Sequence, residues 1–238
     1  MKKIPILFVA LCFGAIEVSA APILVLGPDP VSPFTGTVVD FEGQGEGTSI
    51  TTQYAGVTFS QTGAGAPMID ESDFLFAYES FSGTAVLTGS TDGGQVATTA
   101  GIIATLDAPA SQVGAYLTDT APLGDYLIQA FGAGGLLLES FTVLASQLPG
   151  FTAASQFDAS CDDAPPWTGS GCGVFAGFIR PQGDILAIQF GPSSAAPGSD
   201  AFAIDDLTFD QVPEPATLVL MGTGLALLAR RRCARARK

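Results

Sequence analysis

Along residues 36–211, apolar positions recur in short runs, set apart by glycine, proline, serine and aspartate. The spacing is about ten residues, as in β-sandwiches, and no stretch sustains a capped helical period. The pattern predicts strands over residues 36–41, 56–60, 80–87, 101–106, 113–118, 126–131, 136–144, 174–179, 185–190 and 201–209. The clearest hairpin runs from Asp125 to Phe131, reverses through Gly132-Ala133-Gly134-Gly135, and returns from Leu136 to Val143. Its glycines supply the positive φ angles that a tight reversal requires. The expected fold is all-β: two packed antiparallel sheets, a sandwich of jelly-roll type, spanning residues 36–211 as one domain. Residues 21–35, with Pro22, Pro28, Pro30 and Pro33, read as an irregular lead-in.

The two ends of the chain break this pattern. Lys2 and Lys3 precede an apolar stretch at residues 4–16, and Val18-Ser19-Ala20 offers small residues for cleavage before Ala21. Residues 1–20 therefore read as a signal peptide for export. Cys12 lies inside the apolar stretch rather than at the cleavage point, so lipidation is not expected. At the other end, Val212-Pro213-Glu214-Pro215 precedes an apolar run that ends at Ala229. Arg230-Arg231-Arg232-Cys233-Ala234-Arg235-Ala236-Arg237-Lys238 then closes the chain. The prolines stop the preceding fold, the apolar run suits a bilayer, and the basic cluster (Arg230, Arg231 and Arg232 first) holds its far end on the cytoplasmic side. Residues 216–229 make a short transmembrane helix, about 21 Å against a hydrocarbon core of roughly 30 Å.

In this order, the parts of residues 212–238 resemble the PEP-CTERM sorting signal of Gram-negative bacteria that make exopolysaccharide. The resemblance implies a transient stay in the inner membrane and an exosortase that recognises and cuts the chain at or near Pro213, Glu214 and Pro215. A permanent C-terminal anchor is the alternative reading of the same segment. The stretches Val39-Asp40-Phe41-Glu42-Gly43, residues 53–60 (QYAGVTFS) and residues 202–209 (FAIDDLTF) also look like the β-sandwich ectodomains that often precede such tails. That second resemblance carries no activity with it.

Removing both ends changes the electrostatics. Of nine basic residues, two lie before residue 21 and six after residue 212, which leaves Arg180 alone in the body. Of 23 acidic residues only Glu17 and Glu214 lie outside it, so the body holds 21 and a net charge of 1 − 21 = −20. A surface of that sign repels nucleic acid and anionic lipid, and neither is expected as a partner.

The body retains Cys161 and Cys172, around a Gly/Pro-rich segment that carries Trp167, the single tryptophan. An oxidising compartment and this short spacing point to a loop disulfide, against metal ligation as the alternative. Trp167 offers a platform for the apolar face of a sugar ring or, equally simply, a cover for the end of the sandwich. With no histidine anywhere, a Ser-His-Asp triad, a Cys-His pair and the usual zinc sites are excluded, and no catalytic residue is assigned. Calcium is the candidate cofactor: Asp40 and Glu42 flank the first good strand, and Asp205-Asp206 lie in the last. First and last strands are commonly neighbours, and Ca²⁺ takes six to eight oxygens. Solvated or turn-capping acids are the alternative. Alternation along the last strand puts Asp205 and Leu207 on one face, with Ile204, Asp206 and Thr208 on the other.

Three functions follow. The first is a non-enzymatic protein, exported through the inner membrane, processed by an exosortase and kept at the cell surface or in the exopolysaccharide matrix. The second is a carbohydrate-binding module resting on Trp167. The third is a glycoside hydrolase using two carboxylates.

Overall fold

The computed structural model describes residues 21–26, 32–71, 82–90, 100–118, 125–144, 174–192, 203–212 and 223. The expected signal segment (residues 1–20), Cys161, Cys172, Trp167, Pro213, Glu214, Pro215 and Arg230, Arg231 and Arg232 lie outside them. Among the described residues the protein is all-β apart from a 3-10 turn and the one helical residue Thr223, and every strand pairing is antiparallel. No helix there is long and apolar enough to cross a membrane.

The strands are β1 (Ala21–Leu26), β2 (Thr37–Val39), β3 (Val57–Gln61), β4 (Met68–Glu71), β5 (Ala85–Thr88) and β6 (Ile102–Thr118). β7 (Tyr126–Phe131), β8 (Leu137–Val143), β9 (Val174–Ile179), β10 (Ile185–Pro192) and β11 (Ala203–Gln211) complete the set. All eleven belong to one hydrogen-bonded network. Its organiser is β6, a strand of 17 residues. The first part, Ile102 to Leu106, runs between β3 and β10, and β7 and β8 extend this arm beyond β10. The second part, from Ala110 onward, runs between β9 and β11. That arm continues through β1 on one side and through β2, β5 and β4 on the other. Between the two parts lies Asp107-Ala108-Pro109, where the register with β10 shifts and proline has no amide to give the ladder. Phe141 of β8 meets Phe178 of β9 edge to face at 5.2 Å, a contact between strands that do not pair.

One continuous core of Val, Ile, Leu and Phe side chains joins both arms, from Val39 and Phe41 through Ile102, Val113 and Ile188 to Leu207 and Phe209. A smaller cluster of Phe34, Tyr116 and Phe175 covers the opposite face of β9, helped by Ile23 and Val25 of β1.

Three sequence expectations need correction. The lead-in begins with a strand: β1 pairs residue for residue with β9, Pro22 opposite Phe178. Proline is tolerated there because β1 is an edge strand, with β9 as its one partner. The predicted runs at 101–106 and 113–118 are a single strand, since the backbone stays extended through Pro109. In β11, Ile204 and Leu207 share the same core, against simple alternation. The cause is a β-bulge: Asp205 faces Tyr116 and Thr208 faces Gly114, so two residues of β11 oppose Ala115 alone. β4, by contrast, was not anticipated at all, being four residues with two acids.

The register also sets the polarity of the body. β7 ends, β8 begins, β9 ends, β10 begins and β11 ends on the same side of the molecule. That end therefore gathers the β7–β8 reversal, the β9–β10 turn at residues 180–184 and the crease of β6. Ala21 opposite Ile179 and Val212, whose amide donates to the Pro109 carbonyl at 2.8 Å, bring both chain ends of the body there as well.

Where β6 and β9 pair, Gly114 lies opposite Gly177, and the ring of Phe34 rests over both. A Cβ at Gly177 would sit 2.3 Å from the Val113 carbonyl oxygen and 2.8 Å from Phe34 Cε2. Gly177→Ala is therefore expected to destabilise the protein by about 2 kcal/mol, since overpacking forces strand and ring apart. Thermal unfolding followed by circular dichroism checks this. An unchanged melting temperature would show that the small cluster plays no part in holding β6 to β9.

Candidate functional site

The four acids singled out in the sequence do come together. β2 pairs with β11, Val39 opposite Leu207, so the turn after β2 lies beside the β11 bulge. Two non-glycine residues adopt left-handed backbone angles here: Phe41 at φ 59° and Asp206 at φ 46°. Phe41 is fully buried, against Tyr54 at 5.7 Å and Phe59 at 5.6 Å between ring centroids. Burying that ring over-determines a conformation that a bulky residue rarely takes. It also turns the next side chain, Glu42, toward the segment that enters β5.

Each carboxylate then meets hydrogen-bond donors from the protein. Glu42 Oε1 accepts the amides of Thr84 at 2.8 Å and Ala85 at 2.9 Å. Asp205, fully buried, takes the Ser82 amide on Oδ2 at 2.8 Å and the Asp206 amide on Oδ1 at 2.7 Å. Asp206 Oδ1 accepts the Ser82 hydroxyl at 2.9 Å. Asp40 Oδ1 accepts the Glu42 amide at 3.2 Å. Charged acceptors form the stronger class of hydrogen bond, and here they fasten residues 82–85 to β11 and the β2 turn. Gly83, at φ 63°, leaves the space that Glu42 uses; a Cβ there would lie 2.1 Å from Oε1. Among the described residues no group of three or more His, Cys, Asp or Glu side chains is arranged to hold a metal ion. Asp40, Glu42, Asp205 and Asp206, the residues expected as calcium ligands, each accept hydrogen bonds from the protein's own N–H and O–H groups.

Burial, with like charges nearby, shifts two titrations. Burial pushes Asp206 above its ordinary value, the Ser82 hydroxyl offsets part of this, and the charges of Asp40 and Glu42 push it further. Burial also raises Tyr54 to about 12, with Asp40 and Glu42 adding to the effect. Among the described residues the buried Tyr54 hydroxyl has no hydrogen-bond partner. Sequence reading missed Tyr54, because nothing in the local pattern says that its ring lies between Phe41 and Phe59. Arg180, the body's lone cation, pairs through Nε and Nη2 with both carboxylate oxygens of Asp184 across the β9–β10 turn. That bond lowers the Asp184 pKa.

Two substitutions test this account. Asp206 has a raised folded-state pKa, so ionising it costs stability as pH rises through the interval between its unfolded value and the raised one. Asp206→Asn keeps an acceptor for Ser82, suits a left-handed backbone and removes the charge. It is expected to raise the melting temperature at pH 7 by about 2 °C, an advantage that vanishes once the solution is acid enough to protonate Asp206. A lower melting temperature at pH 7 would mean that the charge is wanted, as a bound cation would want it. Tyr54→Phe removes a buried hydroxyl that has no partner among the described residues, and is expected to stabilise the fold by about 1 kcal/mol. The wild-type tyrosine ionises near pH 10 when unfolded but only near 12 when folded, so it erodes stability between those values. Alkaline unfolding of the variant should shift to higher pH; an unshifted transition would contradict the burial of this hydroxyl.

Comparison with known proteins adds one clear feature. No curated protein matches the chain. The K2 cleaved adhesin domain of Lys-gingipain (Kgp) is similar in structure at a TM-score of 0.43 and 16% identity, over 74% of this chain and 98% of that one. The enzymatically active domain of bacteriophage CBA120 tailspike protein 4 is similar at a TM-score of 0.32 and 17% identity, over 68% of this chain and 20% of that one. Neither likeness reaches the level that would fix a fold or an activity. Residues 211–232, by contrast, match the PEP-CTERM protein-sorting motif and begin at the last residue of β11. The protein thus carries a PEP-CTERM sorting motif, which implies export and exosortase-dependent sorting.

Proposed function

We propose that this chain is a non-enzymatic protein of the cell surface or exopolysaccharide matrix. In this reading residues 1–20 direct export, the apolar segment 216–229 holds the precursor briefly in the inner membrane, and Arg230, Arg231 and Arg232 stay on the cytoplasmic side. An exosortase then cuts at or near Pro213, Glu214 and Pro215. What is released is a −20 body, since the tail takes six of the nine basic residues with it. The observation that carries the reading is the sorting motif placed directly behind the last strand of the fold.

Two further features support it. The carboxylates that lie together in the body serve as acceptors for backbone and serine donors, which leaves them poorly placed to act as an acid–base pair. The body also has the makings of a two-layer jelly-roll sandwich: β6 feeds both arms of the network, and Phe141 and Phe178 touch across them. A disulfide between Cys161 and Cys172 would suit the oxidising compartment in which such a body resides.

The test is processing in cells. The full chain is produced in a host with an exosortase and in the same host lacking it, beside a variant with Pro213, Glu214 and Pro215 all changed to alanine. The expected result is a mature species whose intact mass ends near residues 213–215, found only with both the enzyme and the motif. A tail that stays attached in every case would leave a permanent anchor and overturn exosortase processing.

A further inference from the structure

The tether between body and membrane is very short. Val212, the residue after β11, is packed against the body: its amide binds the Pro109 carbonyl, and its side chain occupies the space beside Gly183. Pro213, Glu214 and Pro215 alone separate it from Ala216, where the apolar segment starts. Four residue steps span at most about 14 Å. While that segment is in the bilayer, the end of the body that holds Val212 has to lie against the bilayer surface. The register fixes which groups share that end, and the β7–β8 reversal is among them.

This reversal is unlike the rest of the surface. Between Asp125 and Glu139 no side chain is charged. At the reversal Leu136 is 65% exposed and Leu137 48% exposed, two of the four large apolar side chains left exposed among the described residues. Among the described residues the nearby charges are few and partly neutralised. Arg180 is paired with Asp184, and Glu139, Asp107 and Asp210 stand on the flanking strands. A second copy of this body is a poor occupant for the reversal, because two −20 bodies repel. A bilayer surface with zwitterionic headgroups suits an uncharged, leucine-bearing loop held within reach of it.

We propose that residues 132–137 form a membrane-contacting tip. In the tethered precursor Leu136 and Leu137 enter the interface of the outer leaflet, which seats this end of the body on the bilayer. The contact holds Pro213-Glu214-Pro215 at the membrane surface, where an integral membrane protease would meet it. The proposal rests on the membrane segment of the sorting reading.

The full-length chain, with Trp167→Phe, is reconstituted into protein-free vesicles of phosphatidylcholine, half of it brominated along the acyl chains. One variant adds Leu136→Trp. Its control adds Leu144→Trp, about 26 Å away beyond the far end of β8. The tryptophan of Leu136→Trp is expected to be quenched about twofold more strongly than that of the control. Equal quenching in chains that float with the vesicles overturns the tip and leaves the sorting reading standing. It would also point to protein, such as the processing enzyme, as what covers the two leucines. Chains that fail to float with the vesicles overturn the membrane segment, and the tip with it.

Discussion

The backbone hydrogen bonding of β6 is the constraint on which the rest of the body depends. A strand flanked on both sides along both of its parts has few free amides, so every neighbour is held in register by it. β3 and β10 take one part, β9 and β11 the other. The crease at Asp107-Ala108-Pro109 lets the strand change direction without ending. Even there the polar groups are used: the Asp107 amide donates to the Gly56 carbonyl at 3.0 Å, and the Pro109 carbonyl accepts Val212. Buried backbone groups seldom go unpaired, so the crease fixes the ends of β3 and β11 as firmly as the ladder fixes their middles.

The acidic cluster follows from the same constraint. β11 must serve β6 along its length while also pairing with β2 and β5. The bulge at Asp206 and Leu207 makes this possible by shifting the alternation, so that Ile204 and Leu207 both reach the core. It leaves Asp205 buried and Asp206 half-buried, and two such carboxylates need donors at once. The approach to β5 supplies them from Ser82, and Glu42 binds the next two available amides, those of Thr84 and Ala85. Three of these four acids therefore fasten residues 82–85, in a body that has a single basic residue to do it with.

Much of this was legible in the sequence. β7 and β9 coincide with the expected runs at 126–131 and 174–179, because alternation or a continuous apolar run bounded by glycine leaves little choice of ends. The neighbouring of the first good strand and the last was also readable, and so was the convergence of the four acids. Which donors those acids bind was not. Their role turns on a bulge and on positive φ at Phe41 and Asp206, and neither residue type announces such a conformation. β1 was hidden behind Pro22, which counts as a strand breaker only when both edges of the strand are paired. β4 was hidden by its shortness and by Asp70 and Glu71.

The polarity of the body was the least legible property, since it emerges only from the combined registers. Ala21 and Val212 flank the β9–β10 turn from opposite sides of the network, so both ends of the body lie at the same end of the fold. The one cation of the body stands in that turn, with Asp184 neutralising it and Glu139 adding to the negative potential around it. Buried and paired with Asp184, Arg180 contributes little to attraction for anionic lipid. In the proposed precursor, approach of this end to the membrane would depend on apolar contact and the tether rather than on charge. Under the proposed processing, a −20 body freed of its tail would have no electrostatic reason to stay at an anionic membrane.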